Sequence, residues 1–494
     1  MASSSATDTA LVWFRRDLRL ADNPALHAAV QSGRPLVCVY VHETGSDTAL
    51  APGSASAWWL HHSLTRLGDA IESIGGQLVL RQGPASQVLP ALCQEAGCSE
   101  VFWNRSDIPQ IDARDCRLAS ELAGMGVRAR GFRASTLIDP QRHLNGSGAP
   151  YRVFTPFWKA ALKELDPREA LPAPIRLVGG PRLVSDRLDT WHLRPTSPDW
   201  ATGFDADWTP GEDGANARLD SFLANRLIDY REHRDRPDIE GTSRLSPHLA
   251  WGEISPRTVW HRARGHAERS GQYQEAEKLL AEIGWRDFAT YLAAHFGDFR
   301  TANFNRQFDY FPWRENPDGL AAWKRGQTGI PMVDAAMRQL WTTGWMHNRT
   351  RMITASFLIK HLGVHWRKGM AWFEDTLVDA DLNVNAASWQ WVAGSGADAA
   401  PYFRVFNPVT QGEKFDPDGD YVRRWVPELA NLGGKATHAP WHQSTDMLAK
   451  AGVTLGKTYP EPIIDLKLGR EQALEAYQSM KADAEAATAL GIDG

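Results

Sequence analysis

The chain is 494 residues long, enough for two domains with separate cores. Its 54 Lys and Arg against 59 Asp and Glu give a formal charge of −5, which excludes a protein basic all over but leaves room for a local basic patch. Hydrophobic residues make up 43%, and no apolar run reaches the ~18 residues of a membrane span, so a soluble, cytoplasmic chain without membrane attachment is expected.

In chain order, "MASSSATDTA" lacks the apolar core of a signal segment, and residues 1–9 read as a disordered tail. The apolar runs "ALVWF" (10–14), "PLVCVYV" (35–41), "QLVLR" (77–81) and "EVFWN" (100–104) read as buried parallel strands. Helix signals lie between them. Asn23 and Pro24 form an N-cap and first-turn pair, and Gly33 closes that helix. Leu60, Leu64, Leu67, Ile71 and Ile74 make an apolar stripe stopped by Gly75 and Gly76. The alternation predicts an α/β parallel sheet, Rossmann-like, over 10–138. No GxGxxG follows the first strand; the chain reads "FRRDLRLADNP", without the usual dinucleotide fingerprint.

Four cysteines, Cys38, Cys93, Cys98 and Cys116, lie in the first quarter without a His partner at metal-ligand spacing. They read as reduced thiols, with no disulfide frame and no metal site. Residues 139–210 are rich in Pro and Gly and read as an ordered linker. From 211 to 494 strand signals fade and an all-helical domain is expected. One amphipathic helix carries Pro331, Met332, Val333, Ala336, Met337, Leu340 and Trp341 and ends near Gly344; another runs from Asn348 to His361, closed by Gly363.

Several segments hold residues suited to chemistry. "EGTSRLSPHLAWGEISP" sets Thr242, Ser243 and Ser246 around Arg244 before a helix, which suits a phosphate; a capped helix start that holds no ligand has the same pattern. In "AEIGWRDF", Glu282 and Trp285 share a helix face, with Arg286 next to them. In "GWMHNRTRM", Arg349 and Met352 share a face near Asn348 and Arg351. Both also fit surface helices laced with salt bridges. Asp379 and Asp381 have no nearby His or third carboxylate for a metal, but carboxylates also accept from ring N–H groups or ribose hydroxyls. In "SWQWV", Trp389 and Trp391 are two apart and would point about 200° apart around a helix. Residues 401–425 interleave Arg404, Lys414, Arg423 and Arg424 with aromatics, a pattern permissive for a nucleic-acid rim.

Taken in order, "LVWFRRDLRLADNPAL", "YRVFTPFWKA", "GTSRLSPHLAWGEISP", "WRDF", "TGIPMVDAAMRQLWTTGWMHNRTRM" and "DTLVDADLNVNAASWQWVAGSGADAAPYFRVFNP" resemble the photolyase/cryptochrome family over nearly the whole chain. "WWLHHSL" and "DTLVDAD" through "WQWVAGSGADAAP" look most like the class III cyclobutane pyrimidine dimer photolyases. The resemblance implies an antenna domain followed by a helical domain that binds FAD. It implies that Tyr230, Thr242, Ser243, Arg244, Leu245 and Ser246 hold the FAD phosphates, and that Arg286, Asn348, Asp379 and Asp381 line the cofactor. Arg351 would pair with Asp379, and Asn385 would face flavin N5, where plant cryptochromes carry an acid. A carboxylic acid there can pass a proton to the flavin; an amide does not readily do so.

By the same resemblance, Trp389, Trp366 and Trp313 would relay electrons to the flavin. A dimer flipped out of UV-damaged DNA would meet Trp285, Trp391 and Met352, with Glu282 and Asn348 bonding its carbonyls. Arg349, Arg404 and Lys414 would contact flanking phosphates. The implied activity is a deoxyribodipyrimidine photolyase, acting as a monomer; the alternative is a cryptochrome-like blue-light photoreceptor. A generic flavoprotein oxidoreductase lacks support without a nicotinamide fingerprint. The antenna implied by class III is 5,10-methenyltetrahydrofolate, with 8-hydroxy-5-deazaflavin or none as alternatives, because the loop "NRSDIPQIDARD" lacks the Asn-Glu pair of class I folate sites.

Overall fold

The computed structural model describes residues 8–43, 51–297, 299–399 and 403–490, so most of the expected tail, residues 1–7, lies outside the described residues. The apolar runs do form parallel strands: β1 (Thr9–Phe14), β2 (Leu36–His42), β3 (Leu78–Gln82) and β4 (Cys98–Asn104). A fifth, β5 (Arg128–Phe132), was not legible as a strand. Its sequence "RARGF" has no apolar run, because it is an edge strand with one side largely solvated. The sheet order is β3-β2-β1-β4-β5, all parallel, with Val12 opposite both Cys38 and Phe102. The order reverses at β1, as in doubly wound sheets.

Helices α1 (Pro24–Gln31), α2 (Ser54–Ser73), α3 (Ala85–Ala96) and α4 (Pro109–Gly124) alternate with the strands. Leu11, Trp13, Val39, Val79, Leu89, Leu92, Val101 and Leu118 form one buried cluster of the sheet with α3 and α4. The Asn23 side chain accepts from Leu26 N–H at 3.1 Å and caps α1, as its spacing predicts.

The missing glycine fingerprint has a structural counterpart. Where a Gly-rich turn would admit a pyrophosphate, "FRRDLRLADNP" fills the space with its own polar groups. The buried Arg19 guanidinium donates to the carbonyls of Asp22 and Gly252, both at 2.8 Å. The Asn104 amide donates to Asp17 at 2.5 Å and to Asn23 Oδ1 at 2.8 Å.

The chain divides into two units. The first comprises residues 1–151, 155–228 and 243–297; the second comprises 152–154, 229–242 and 298–494. Much of the Pro- and Gly-rich stretch therefore packs with the first unit. Leu36 N–H, at the start of β2, donates to Val178 O at 2.7 Å, and Asp186 N–H donates to Leu80 O at 2.9 Å on the β3 edge. The Pro256–Ser270 and Tyr273–Phe296 helices complete this unit. Gly284 allows the close approach of Trp158, whose ring a Cβ would meet at 2.6 Å.

The second unit is helical among its described residues. Its main helices are Pro331–Thr343, Asn348–Ser356, Trp366–Thr376, Leu382–Ala393 and Leu466–Ala489. Gly344, at φ +66, ends the first of these, as expected. The expected single helix from Asn348 to His361 instead becomes a π-turn over Phe357–His361. That turn carries Lys360, 2% exposed, which donates to Ala393 O at 2.7 Å. Among the described residues no helix is long and apolar enough to cross a membrane.

Candidate functional site

In the second unit, the "DTLVDADLNVN" segment leads into the Leu382–Ala393 helix. Asp381 is its N-cap: Oδ1 accepts from Asn383 N–H at 3.0 Å and Val384 N–H at 3.1 Å. At least one oxygen of this expected cofactor ligand is therefore occupied by the backbone. Asp379, two residues earlier, is placed differently. Arg351 Nη2 donates to its Oδ2 at 2.7 Å, and Arg351 Nε anchors to Met346 O at 2.8 Å. The Asp379 side chain is only 2% exposed, and its Oδ1 has no hydrogen-bond partner. The ion pair named from the sequence is thus present, with one buried acceptor lone.

Asn385 lies one turn into the same helix and donates to Met370 O at 3.1 Å. Glu374 lies beside it; burial pushes that carboxyl above its ordinary range, while Arg300 and the Asn385 amide pull the other way.

The two indoles of "SWQWV" point apart, as their spacing requires. Trp389 is buried, its ring 5.0 Å from Phe373 and 6.2 Å from Trp323, and it lies over Gly369, where a Cβ would overlap the ring. Trp391 is half-buried, and its Nε1–H donates to Asp398 O at 2.9 Å. Trp366 is fully buried, and its Nε1–H donates to Asn303 Oδ1 at 2.9 Å. Trp313 is half-buried against Phe311 at 4.4 Å. Sequence reasoning missed Trp323, Asn303 and His365 around these indoles. Only the position of His365, one residue before Trp366, offered a signal.

The Asn348–Ser356 helix presents Asn348 and Met352 together, amide to sulfur 4.0 Å apart. Arg349 is not a free cation. It pairs with Asp235 at 2.9 Å and lies over the Phe415 ring at 4.3 Å. Arg404 and Lys414 are exposed, resting on Phe406 and Phe415. Tyr230 is buried, with Arg234 over its ring, and Thr242 is half-buried.

In the first unit, "SRLSP" forms a turn leading into the five-residue Ser246–Ala250 helix. Ser243 Oγ accepts from Leu245 N–H at 3.4 Å. Arg244, at φ +50, turns its guanidinium toward Trp208 and Asp207, 4.4 Å from the ring and 3.4 Å from the carboxylate. Glu282 and Trp285 share a face of the Tyr273–Phe296 helix, and Glu282 pairs with Lys278 at 3.1 Å. Arg286 turns to the backbone, donating to Ser135 O at 2.5 Å and Leu249 O at 3.5 Å. Beside it, Asp287 Oδ2 accepts from Leu137 and Ile138 N–H, and burial pushes its carboxyl up to about 7.

Comparison with known families defines the class first. Residues 10–175 match a DNA photolyase domain, and residues 279–479 match the FAD binding domain of DNA photolyase. The chain is 50% identical to deoxyribodipyrimidine photo-lyase of Agrobacterium fabrum, across 97% of this chain and 99% of that one. It is 35% identical to cryptochrome-1 of Arabidopsis thaliana, across 95% of this chain and 70% of that one. Its fold superposes on a bacterial class III photolyase from Agrobacterium tumefaciens with a TM-score of 0.93 and 51% identity, covering 98% and 99% of the two chains. The chain belongs to the photolyase/cryptochrome family.

Proposed function

We propose that the protein repairs cyclobutane pyrimidine dimers in DNA with light, as an enzyme of the deoxyribodipyrimidine photolyase kind. The Arg351–Asp379 pair carries this reading. Leaving a buried carboxylate oxygen without a donor costs about 1–3 kcal/mol or more. Asp379 Oδ1 therefore calls for a donor, and a flavin ring N–H fits it. Reduced FAD, when bound, would supply the electron that opens the dimer under blue light and take it back afterwards.

The chain's own residues bind, orient and protect. Arg351 balances the Asp379 charge and leaves one oxygen for the ring. The Asn385 amide, tied to Met370 O, holds no acidic proton to release. That favours repair over a cryptochrome-like photoreceptor, in which an acid would stand at this position. Trp391 and Met352 would stack against a flipped-out dimer, with Asn348 bonding a carbonyl. Arg404 and Lys414, both exposed, would take the flanking phosphates, and Arg349 joins them once released from Asp235. Trp313, Trp366 and Trp389 would restore the reduced cofactor.

The phosphate-holding role of Tyr230 and the Thr242–Ser246 stretch rests on the motif alone. So do the roles of Arg286, Asn348 and Asp381 toward FAD, and of Glu282 and Trp285 toward the dimer. The antenna proposed is 5,10-methenyltetrahydrofolate, and the working form a cytoplasmic monomer. The test is repair itself. The purified protein, loaded with FAD and reduced, is illuminated with an oligonucleotide holding one thymine dimer. Light-dependent return of the intact thymines supports the reading; unchanged dimer in light and dark alike ends it.

A further inference from the structure

His365 stands immediately before Trp366 and has no role in the reading above. Its ring centroid lies 4.6 Å from that of Trp313 and 5.6 Å from that of Trp366, with planes 43° and 36° apart. Among the described residues it is the ring in contact with both indoles. The imidazole is also fixed in orientation: it is the N-cap of the Trp366–Thr376 helix, and its Nδ1 accepts from Arg367 N–H at 3.1 Å. The ring proton of the neutral form therefore sits on Nε2.

Burial, then the charges of Arg367 and Lys368 on its own helix, hold this imidazole down to about 4; Asp309, from the Arg306–Tyr310 turn of helix, opposes them. The ring between the indoles is thus uncharged at neutral pH. A cation there would repel a positive charge forming on either neighbour.

We propose that His365 is the bridge over which an electron passes from Trp313 to oxidised Trp366, a role that rests on the reading of Trp389, Trp366 and Trp313 as an electron chain. One electron leaves Trp313 and reduces the Trp366 cation radical. Trp313 becomes the cation radical and is restored by an external thiol. No bond forms or breaks, and the imidazole keeps its Nε2 proton. A packed π-system couples the two indoles where a gap or an aliphatic chain would couple them poorly.

The capping and bridging roles separate by substitution. His365→Asn keeps a good N-cap and removes the ring; His365→Phe keeps a ring and removes the cap. Both variants, with Trp313→Phe as reference, are measured for thermal midpoint and for photoreduction of oxidised FAD under blue light with a thiol. His365→Asn should melt like the wild type and photoreduce about tenfold more slowly or worse. His365→Phe should melt a few degrees lower, as loss of a cap implies, and photoreduce within about threefold of wild type. If Trp313→Phe is slow but His365→Asn runs at the wild-type rate, the bridge is overturned and the chain stands. An His365→Phe rate as low as that of His365→Asn also overturns the bridge. A wild-type rate in Trp313→Phe removes the chain, and the bridge with it.

Discussion

Arg351 holds one oxygen of Asp379 at 2.7 Å and leaves the other buried without a donor. The pair joins the Asn348–Ser356 helix to the segment before the Leu382–Ala393 helix, so it both organises the site and sets its charge. Asp379→Asn keeps the shape and loses the charge. The variant is expected to retain FAD at least about tenfold less tightly, a loss of ~1.4 kcal/mol or more. Flavin absorbance after gel filtration reads this, and wild-type retention would remove Asp379 from the cofactor's partners.

The two indoles of the Leu382–Ala393 helix should divide their work. Trp389→Phe is expected to slow photoreduction from oxidised FAD sharply while sparing repair by enzyme reduced beforehand, because phenylalanine is much harder to oxidise. Trp391→Phe should do the reverse and lower dimer affinity, a stacking loss of roughly 1–3 kcal/mol, or about five- to more than a hundredfold. Loss of the same function in both variants would contradict the two-faced helix.

Gly369 makes room for Trp389, since a Cβ there would overlap the indole. Gly369→Ala is therefore expected to displace the ring, destabilise the protein by about 1–3 kcal/mol and slow photoreduction. Thermal melting and photoreduction of one variant check both parts. An unchanged melting midpoint would mean the ring has space to yield.

Arg404 and Lys414 are exposed at the proposed DNA face, and Arg349 pairs with Asp235. Arg404→Ala and Lys414→Ala should each weaken binding to damaged and undamaged DNA alike and reduce the salt slope by about one. Arg349→Ala should weaken binding too, but with a lower melting temperature, because it removes the 2.9 Å ion pair and leaves Asp235 the longer one to Arg234 at 3.8 Å. Salt titrations with both DNAs distinguish these outcomes from a purely structural role.

Asp287 gives a pH signature. Its carboxyl is raised from 3.8 to about 7, chiefly by burial. A raised pKa means that folding favours the protonated form. The contribution is fully present below the unfolded value near 4 and is lost as pH rises through 7. One proton over that window is worth on the order of 4 kcal/mol at most. The stability of wild type relative to Asp287→Asn should therefore fall between about pH 4 and 7. A difference that stays flat across that range would place the Asp287 pKa near its ordinary value.

What the sequence determined by itself is what repeats locally. Four strands were legible because buried parallel strands are continuous apolar runs, and Asn23, Gly344 and the opposed Trp389 and Trp391 follow from cap chemistry and helical spacing. β5 escaped because an edge strand needs no apolar run. The family motifs named Arg351 and Asp379 as partners, but only the tertiary structure left Oδ1 of Asp379 alone while occupying Asp381 with a helix cap. It also turned Arg244 onto Trp208, bound Arg349 to Asp235, and set His365 between Trp313 and Trp366. The reason is physical. Periodicity reports which face of an element is buried, but a side chain's partner comes from elsewhere in the chain, and its identity depends on packing that no local pattern encodes.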